Sequence, residues 1–205
     1  MANADNKRAT MTLYTTYQNP QAHWIRIVLA EKGVRANIVY VNREDPPQEL
    51  CQVNPYALLP TLVDKDLVLY KTSIISEYLE ERFPHPPLLS VYPVTRAKNR
   101  QIIYRIEQDW YPLLQQIEMG TQLEAQKLLQ DSLVGLKKLF AAKPYFLSDE
   151  FTLVDCCIAP LLWRLTQLNI AIATATEAIK QYQARVFARP AFKLSLHEVD
   201  NTIRG

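Results

Sequence analysis

The segment 58–87, LLPTLVDKDLVLYKTSIISEYLEERFPHPP, constrains the fold more than any other part of the chain. It begins at Leu58-Leu59-Pro60 and closes on Pro84, Pro86 and Pro87. Proline fixes φ and removes a backbone donor, so each end resists continuation of regular structure. Between them, residues 61–63 and 67–70 read as two strands joined by the polar turn 64–66, a β-hairpin. Thr72 can cap the helix that follows. Ile74, Ile75, Tyr78 and Leu79 repeat at the spacing of one helical face, and Phe83-Pro84 ends it.

Two patterns flank this segment. Upstream, 11–15 reads as a strand and 22–32 as a nearly all-apolar helix through Ala22, Ile25, Val28 and Leu29. Gly33 can adopt the left-handed conformation that closes that helix. Residues 38–41 follow as a buried second strand, then a polar turn and a short helix around 47–52. Downstream, 83–93 holds four of the thirteen prolines and reads as a linker. Everything beyond reads helical. One helix covers 96–117, with Ile103, Ile106, Trp110, Leu113 and Ile117 on one face and a kink expected at Pro112. A second covers 122–140. A third starts at Thr152 and turns Val154, Ile158, Leu161, Leu162 and Leu165 inward, and shorter helices lie near 177–188 and 191–203. The expected organisation is an α/β domain over 1–83, a Pro-rich linker over 84–93 and an all-α domain over 94–205.

The balance of charges removes several function classes. A net charge of +2 over 205 residues is too small to point to direct nucleic-acid binding or to an anionic membrane. No apolar run approaches the ~20 residues of a membrane span, and residues 1–10 are polar, so neither a span nor a secretory signal is expected. The three cysteines are odd in number and Cys156-Cys157 are adjacent, which argues against a disulfide framework and for a reducing cytosol. His23, His85 and His197 make no metal-ligand spacing with them, so no metal is expected. Thr152-Leu153-Val154-Asp155 reads as a capping box with Asp in place of the usual Glu, the hydroxyl and the carboxylate each serving an amide at the other end. It opens the most apolar helix of the chain, so Thr152 and Asp155 are assigned to folding.

The order strand-helix-strand, hairpin, helix, then helices alone, with Leu59-Pro60, Arg26 and the capping box, resembles the glutathione-transferase superfamily over essentially the whole chain. That resemblance implies a thioredoxin-like first domain and an all-helical second one. A closer resemblance rests on NKRATMTLY near the start, RIVLAEKGV at 26–34, NPYALLPTLVD at 54–64, ERFPHPPL at 81–88, VYPVTR at 91–96 and KPYFLSDEFTLVDCCIAPLLWRL at 143–165. These are similar to a family of bacterial starvation regulators that keep the transferase fold and associate with RNA polymerase. PHPP and YFLSDEF are not demanded by the fold, which makes the match specific.

The superfamily resemblance implies where a glutathione site would lie, and the residues there depart from it. Leu59-Pro60 matches the cis proline that presents the Leu59 backbone to a thiol peptide, although a proline at the first residue of a strand is also ordinary. Asn19 stands where related classes place the Ser or Cys that stabilises the thiolate. Thr15, Thr16 and above all Tyr17 are the hydroxyls that could replace it, although Tyr17 reads equally as a loop aromatic covering the sheet edge. Lys71-Thr72 stands where the family has Glu or Gln followed by Ser. Thr72 can still meet a carboxylate, but Lys71 reverses the charge facing the ammonium of the γ-glutamyl group. One lost charged hydrogen bond is worth roughly 1.5–3 kcal/mol, a 10–100-fold loss of affinity. No cofactor is therefore expected, with glutathione at most a weak ligand.

Phe83, Pro84, His85 and Pro86, with Tyr92 near in sequence, are the positive feature. An imidazole between prolines loses little freedom on binding, because the backbone is already restricted. A stiff linker with a solvent-facing histidine is the ordinary alternative. The closer resemblance implies instead that this surface meets the transcription machinery, in a symmetric homodimer consistent with the apolar, aromatic content around Trp110 and Tyr104. A glutathione-dependent transferase or isomerase, or an inert glutathione-binding protein, is the competing expectation.

Overall fold

The computed structural model describes residues 11–120, 122–170 and 177–196. Strand β1 (Thr12–Thr15) pairs in parallel with β2 (Asn37–Tyr40) and antiparallel with β3 (Thr61–Asp64), which pairs antiparallel with β4 (Leu67–Tyr70). The sheet order is β2-β1-β3-β4. The hairpin is as expected, with Thr61 opposite Tyr70 and Asp64 opposite Leu67, so only Lys65 and Asp66 make the turn. Strand β2 is not buried as its sequence suggests. It lies at the sheet edge with β1 as its one partner, leaving Asn37 exposed and Ile38 to Tyr40 half-buried.

Helix α1 (Pro20–Glu31) begins two residues earlier than the apolar run, because Pro20 is pre-set for the first helical position and Asn19 caps it. Every residue from Ala22 to Leu29 is buried, the mark of a helix enclosed by protein on all sides. Gly33, at φ +63, turns the chain out of it. Short α2 (Gln48–Val53) follows β2. Helix α3 (Thr72–Arg82) differs from expectation in two ways. Thr72 is its first helical residue, not its cap; Lys71 holds the cap position at φ +77 with no side-chain bond. Ile75 and Leu79 face inward as expected, but Ile74 is exposed, since a neighbouring residue on a helix lies about 100° away.

Beyond Pro93 the chain is helical: α4 (Pro93–Glu118), α5 (Gln122–Gly135), α6 (Lys137–Ala142), α7 (Leu153–Gln167), α8 (Glu177–Ala188) and α9 (Pro190–Ser195). Helix α4 starts at a proline and stays helical through Pro112. Its buried stripe includes Tyr111, whose hydroxyl donates to the Cys157 carbonyl at 2.9 Å. The single helix expected over 122–140 is two, broken at Leu136 directly after Gly135, and the turn sends Phe140 into the core. The expected end of the last helix at 203, and His197, lie outside the described residues. The fold is thus a thioredoxin-like α/β unit followed by an all-helical one, sharing a core in which α1 packs against α3, α7 and α9. Among the described residues no helix is long and apolar enough to cross a membrane. All three cysteines are free thiols, Cys51 exposed and the other two buried in α7.

The capping box is formed and does more than cap. Asp155 Oδ2 accepts from the Thr152 N–H at 2.8 Å and the Thr152 hydroxyl at 3.0 Å. Its Oδ1 accepts from the Phe146 N–H at 2.9 Å and the Tyr182 hydroxyl at 2.7 Å. One fully buried carboxyl therefore joins α7, the loop before it and α8. Burial pushes its pKa above the usual carboxylate range, and the four donors pull the other way. Asp155→Ala would strand the Phe146 amide and the Tyr182 hydroxyl in the core. At about 1–3 kcal/mol for each stranded donor, the loss in denaturant unfolding is expected to exceed the roughly 0.5–2 kcal/mol of a lone cap, and a loss within that range would contradict the wider role.

Candidate functional site

Two regions gather the residues singled out by sequence. The first is the corner between β1 and α1. A cleft of about 540 Å³ opens there, bounded by Thr16, Gln18 and Asn19 on one side and by Glu107, Gln115 and Arg164 on the other. Asn19 is half-buried, and its side-chain oxygen accepts from the Gln21 and Ala22 amides at 2.8 and 3.2 Å. The Asn19 carboxamide is thus engaged as the N-cap of α1. Tyr17 does not line the cleft; its ring stacks on Tyr40 of edge strand β2, centroids 4.0 Å apart and nearly coplanar at 4°. Thr15 is fully buried and donates to the Thr16 carbonyl at 3.2 Å. Tyr111 reaches the cleft wall, but its hydroxyl is held by Cys157 and burial raises its pKa well above the phenol range.

Leu59-Pro60 is a cis peptide. Asn54, missed in the sequence reading, shapes the approach to it: its amide donates to the Leu58 carbonyl at 3.3 Å and to the Thr61 hydroxyl at 2.9 Å. Leu59 borders a separate hollow of about 310 Å³, with Val41, Tyr56 and Leu58, and Arg43 touches both that hollow and the larger cleft. Lys71 and Thr72 line neither. Thr72 is buried, and Lys71 is exposed at a positive φ that L side chains rarely adopt. Glu107 of α4 carries a carboxyl raised above its usual range, first by burial, with nearby Lys71 and a bond to Ser73 opposing the rise. Arg164 is engaged too, its Nε donating to Glu118 at 2.5 Å. Arg43, Glu107 and Arg164 carry no local sequence signal, since only folding brings their elements to one cleft. Of the six positions that the resemblance implies for a glutathione site, Asn19 lines the cleft and Leu59 the hollow, while Tyr17, Pro60, Lys71 and Thr72 line neither.

The second region is the turn between α3 and α4. Pro84, His85, Pro86 and Pro87 are all exposed, and Tyr92, at the N-cap of α4, is 71% exposed. Val91 and Val94 extend this apolar surface. Phe83 is half-buried against the core, with the Arg82 guanidinium 5.7 Å from its ring centre. His85-Pro86 is a second cis peptide. Beneath the turn lie two residues that sequence reasoning passed over, Lys32 and Glu80. The Glu80 carboxylate accepts from the Leu88 N–H at 3.0 Å and the Leu89 N–H at 3.1 Å. Lys32 pairs with Glu80 at 2.5 Å and donates to the Pro86 carbonyl at 2.6 Å. Leu88 and Leu89 are themselves buried, and the Leu88 carbonyl accepts from the Leu153 amide at 2.8 Å. The exposed turn is therefore anchored at both ends.

A stringent starvation protein A homolog of Haemophilus influenzae is 49% identical over 202 residues, covering 97% of this chain and 95% of its own length. One from Pasteurella multocida is 50% identical over 200 residues, with 96% and 94% covered. The chain belongs to the stringent starvation protein A family. It also matches the models of the glutathione S-transferase N-terminal domain over residues 9–81 and C-terminal domain over 102–190, so both resemblances read from sequence hold. A tau-class glutathione S-transferase from mango, Mangifera indica, superposes with a TM-score of 0.82 at 22% identity, covering 95% of this chain and 96% of that one, a likeness of fold.

As a member of that family, the chain uses Asn19 in a role that stability can report. Asn19→Ala is expected to cost about 1 kcal/mol in denaturant unfolding, and Asn19→Ser, another good cap, at most a few tenths. Equal stability of the Ala variant and the unsubstituted protein would remove the capping assignment.

Proposed function

We propose that the chain is a non-catalytic transcription regulator of the stress or starvation response. It binds RNA polymerase holoenzyme through the surface of Phe83, Pro84, His85, Pro86 and Tyr92. The observation that carries this reading is the exposed 84–87 turn, presented on a backbone anchored from below. A pre-formed surface loses little freedom on docking, and its one imidazole supplies a directional hydrogen bond among apolar neighbours. RNA polymerase is the partner that the family resemblance implies, and the relatives' name supports the link to starvation. Within this reading residues 1–83 and 94–205 are the two domains, 84–93 is the linker that became the docking surface, and the protein works in the cytosol without contacting DNA sequence or membrane directly.

The absence of catalysis is supported by the state of the glutathione corner. Asn19 is occupied as a cap, Tyr17 is stacked on Tyr40, and Lys71, where the family resemblance implies Glu or Gln, is exposed and lines neither the cleft nor the hollow. The second reading, a glutathione-dependent transferase or isomerase or an inert glutathione binder, is favoured by the cis Leu59-Pro60 peptide and by the two transferase domain matches. Turnover of a generic electrophile with glutathione separates the two. Rates far below about 1 per second are expected, and turnover at or above that would favour the enzyme.

Changing Pro84, His85 and Pro86 together to alanine is expected to weaken binding to the host polymerase by roughly 30-fold or more, the loss typical of a hot spot. The melting curve of that variant must stay close to that of the unsubstituted protein. Undiminished binding by the folded triple variant would return the segment to the role of a stiff linker.

The proposed assembly is a symmetric homodimer, each α/β unit packing on the helical unit of its partner. Tyr104 is exposed and available for it, whereas Trp110 is buried in its own chain and donates to the Ser132 hydroxyl at 2.9 Å. Sedimentation at micromolar concentration is expected to give a dimer, since such an interface should bury at least about 1,200 Å². A monomer there would remove the proposal.

A further inference from the structure

Pro84, Pro86 and Pro87 have no N–H, so His85 is the one backbone donor in 84–87. A segment so poor in donors cannot be fixed by its own amides. Its shape must be set through its carbonyls and through the residues that flank it. One buried pair does both. The Lys32 side chain has no exposed surface and Glu80 is 8% exposed. Lys32 sits at the C-cap of α1, just before the Gly33 turn, and its ammonium points under the proline segment to the Pro86 carbonyl at 2.6 Å. Glu80, in the last turn of α3, takes the Leu88 and Leu89 amides on the far side. The carbonyl held from below belongs to the residue next to the exposed His85.

Stability alone is a poor account of this pair. Removing two charges from water costs about as much as their attraction returns, and apolar side chains of equal volume would fill the space as well. Apolar side chains could not hold a proline carbonyl and two successive amides in fixed positions. Lys32 also ends on the backbone of the exposed segment, at Pro86, while Glu80 fixes the buried Leu88 and Leu89 that follow it.

We propose that Lys32 is a positioning residue for the docking surface, acting through the Pro86 carbonyl to hold the exposed 84–87 segment in the geometry that a protein partner reads. The inference rests on the docking reading above. Lys32 is buried and does not touch the partner, so its whole contribution passes through the segment. That predicts a strict dependence: where the segment no longer binds, Lys32 no longer matters.

A double-mutant cycle with the full chain tests this. Lys32→Met combined with Glu80→Gln removes both buried charges, while the Gln carbonyl can still accept from Leu88 and Leu89. Affinity for host RNA polymerase holoenzyme is measured for this pair variant, for the alanine triple variant at Pro84, His85 and Pro86, and for the two combined, each with a melting curve. The pair variant is expected to bind about 10-fold more weakly, and the combination no more than about twofold below the triple variant alone. Lys32→Arg keeps a cation against Glu80 but cannot place its planar guanidinium where the ammonium meets Pro86. It serves if the pair variant loses its melting transition, with the same non-additive pattern expected. Undiminished binding by a folded Lys32 variant, or an equal loss with and without the segment changes, would overturn the inference while leaving the docking reading intact. A triple variant that binds as well as the unsubstituted protein would overturn the docking reading itself, and this inference with it.

Discussion

Enclosure of helix α1 by elements from the whole length of the chain is the constraint on which the rest of the structure depends. Its apolar residues are buried from Ala22 to Leu29, against α3 on one side and α7 and α9 on others. A helix so enclosed needs partners for the charged and ring groups it carries, because an unmatched one costs several kcal/mol. Among the described residues, the Trp24 indole N–H and one nitrogen of the otherwise bonded Arg26 guanidinium are its buried side-chain donors without a hydrogen bond. His23 is 4% exposed, with Nε2 2.8 Å from the Ser195 hydroxyl. That hydroxyl donates to the Phe192 carbonyl, so the ring must be the donor. Burial, then the charge of Arg26, holds the imidazole neutral well below its usual pKa. Arg26 Nε donates to the Ser195 carbonyl at 2.8 Å, and Glu31 takes a two-pronged bond from Arg189 at 2.7 and 2.8 Å. The Arg189 guanidinium also lies 4.1 Å from the Phe151 ring centre and donates to the Tyr145 hydroxyl. Lys32, at the end of the same helix, reaches Glu80 and Pro86. A helix near the start of the sequence is thereby locked to residues from 80 to 195.

The same enclosure separates the two candidate regions in physical character. At the N-terminus of α1 the polar groups are turned inward on the fold: Asn19 to the helix amides, Thr15 to a neighbouring carbonyl, Tyr111 to Cys157. A raised phenol pKa makes Tyr111 a weaker donor to a thiolate, and the cleft charges Arg164 and Glu118 neutralise each other. At the C-terminus of α1 the polar groups are turned outward, toward the backbone of a segment that faces solvent. One end of the helix consumes its hydrogen-bonding capacity in folding, and the other lends it to a surface.

The element order and the helix faces that form the core were legible in the residues. The hairpin, the apolar run of α1 and the inward positions of α7 follow from periodicity, because burial of one face is a local pattern repeated along the chain. Two of the misjudged elements share a cause. Strand β2 looked buried from its apolar content, but its neighbours in the sheet set its exposure. Ile74 looked inward because it is apolar, but the docking angle of α3 left it outside. The break at Leu136 follows Gly135, whose weak helix preference was passed over within an otherwise helical pattern. Of the candidate residues, Thr152 and Asp155 announced their cap, while the bonds from Asp155 to Tyr182 and Phe146 had no sequence signal, being set by contacts 27 and 9 residues away.

By itself the sequence determined the family, the α/β-then-helical order, the presence of a carboxamide at Asn19 and the presence of a proline-bound histidine. Those are properties of residue identity and of short-range spacing. Only the tertiary structure decided that Asn19 caps α1, that Tyr17 stacks on the sheet edge, that Arg43, Glu107 and Arg164 share a cleft, and that Lys32 and Glu80 underpin the turn at Pro86. Each of these joins groups from different elements, and the hydrogen bond or ring contact that defines it exists only once folding has brought them within a few ångströms.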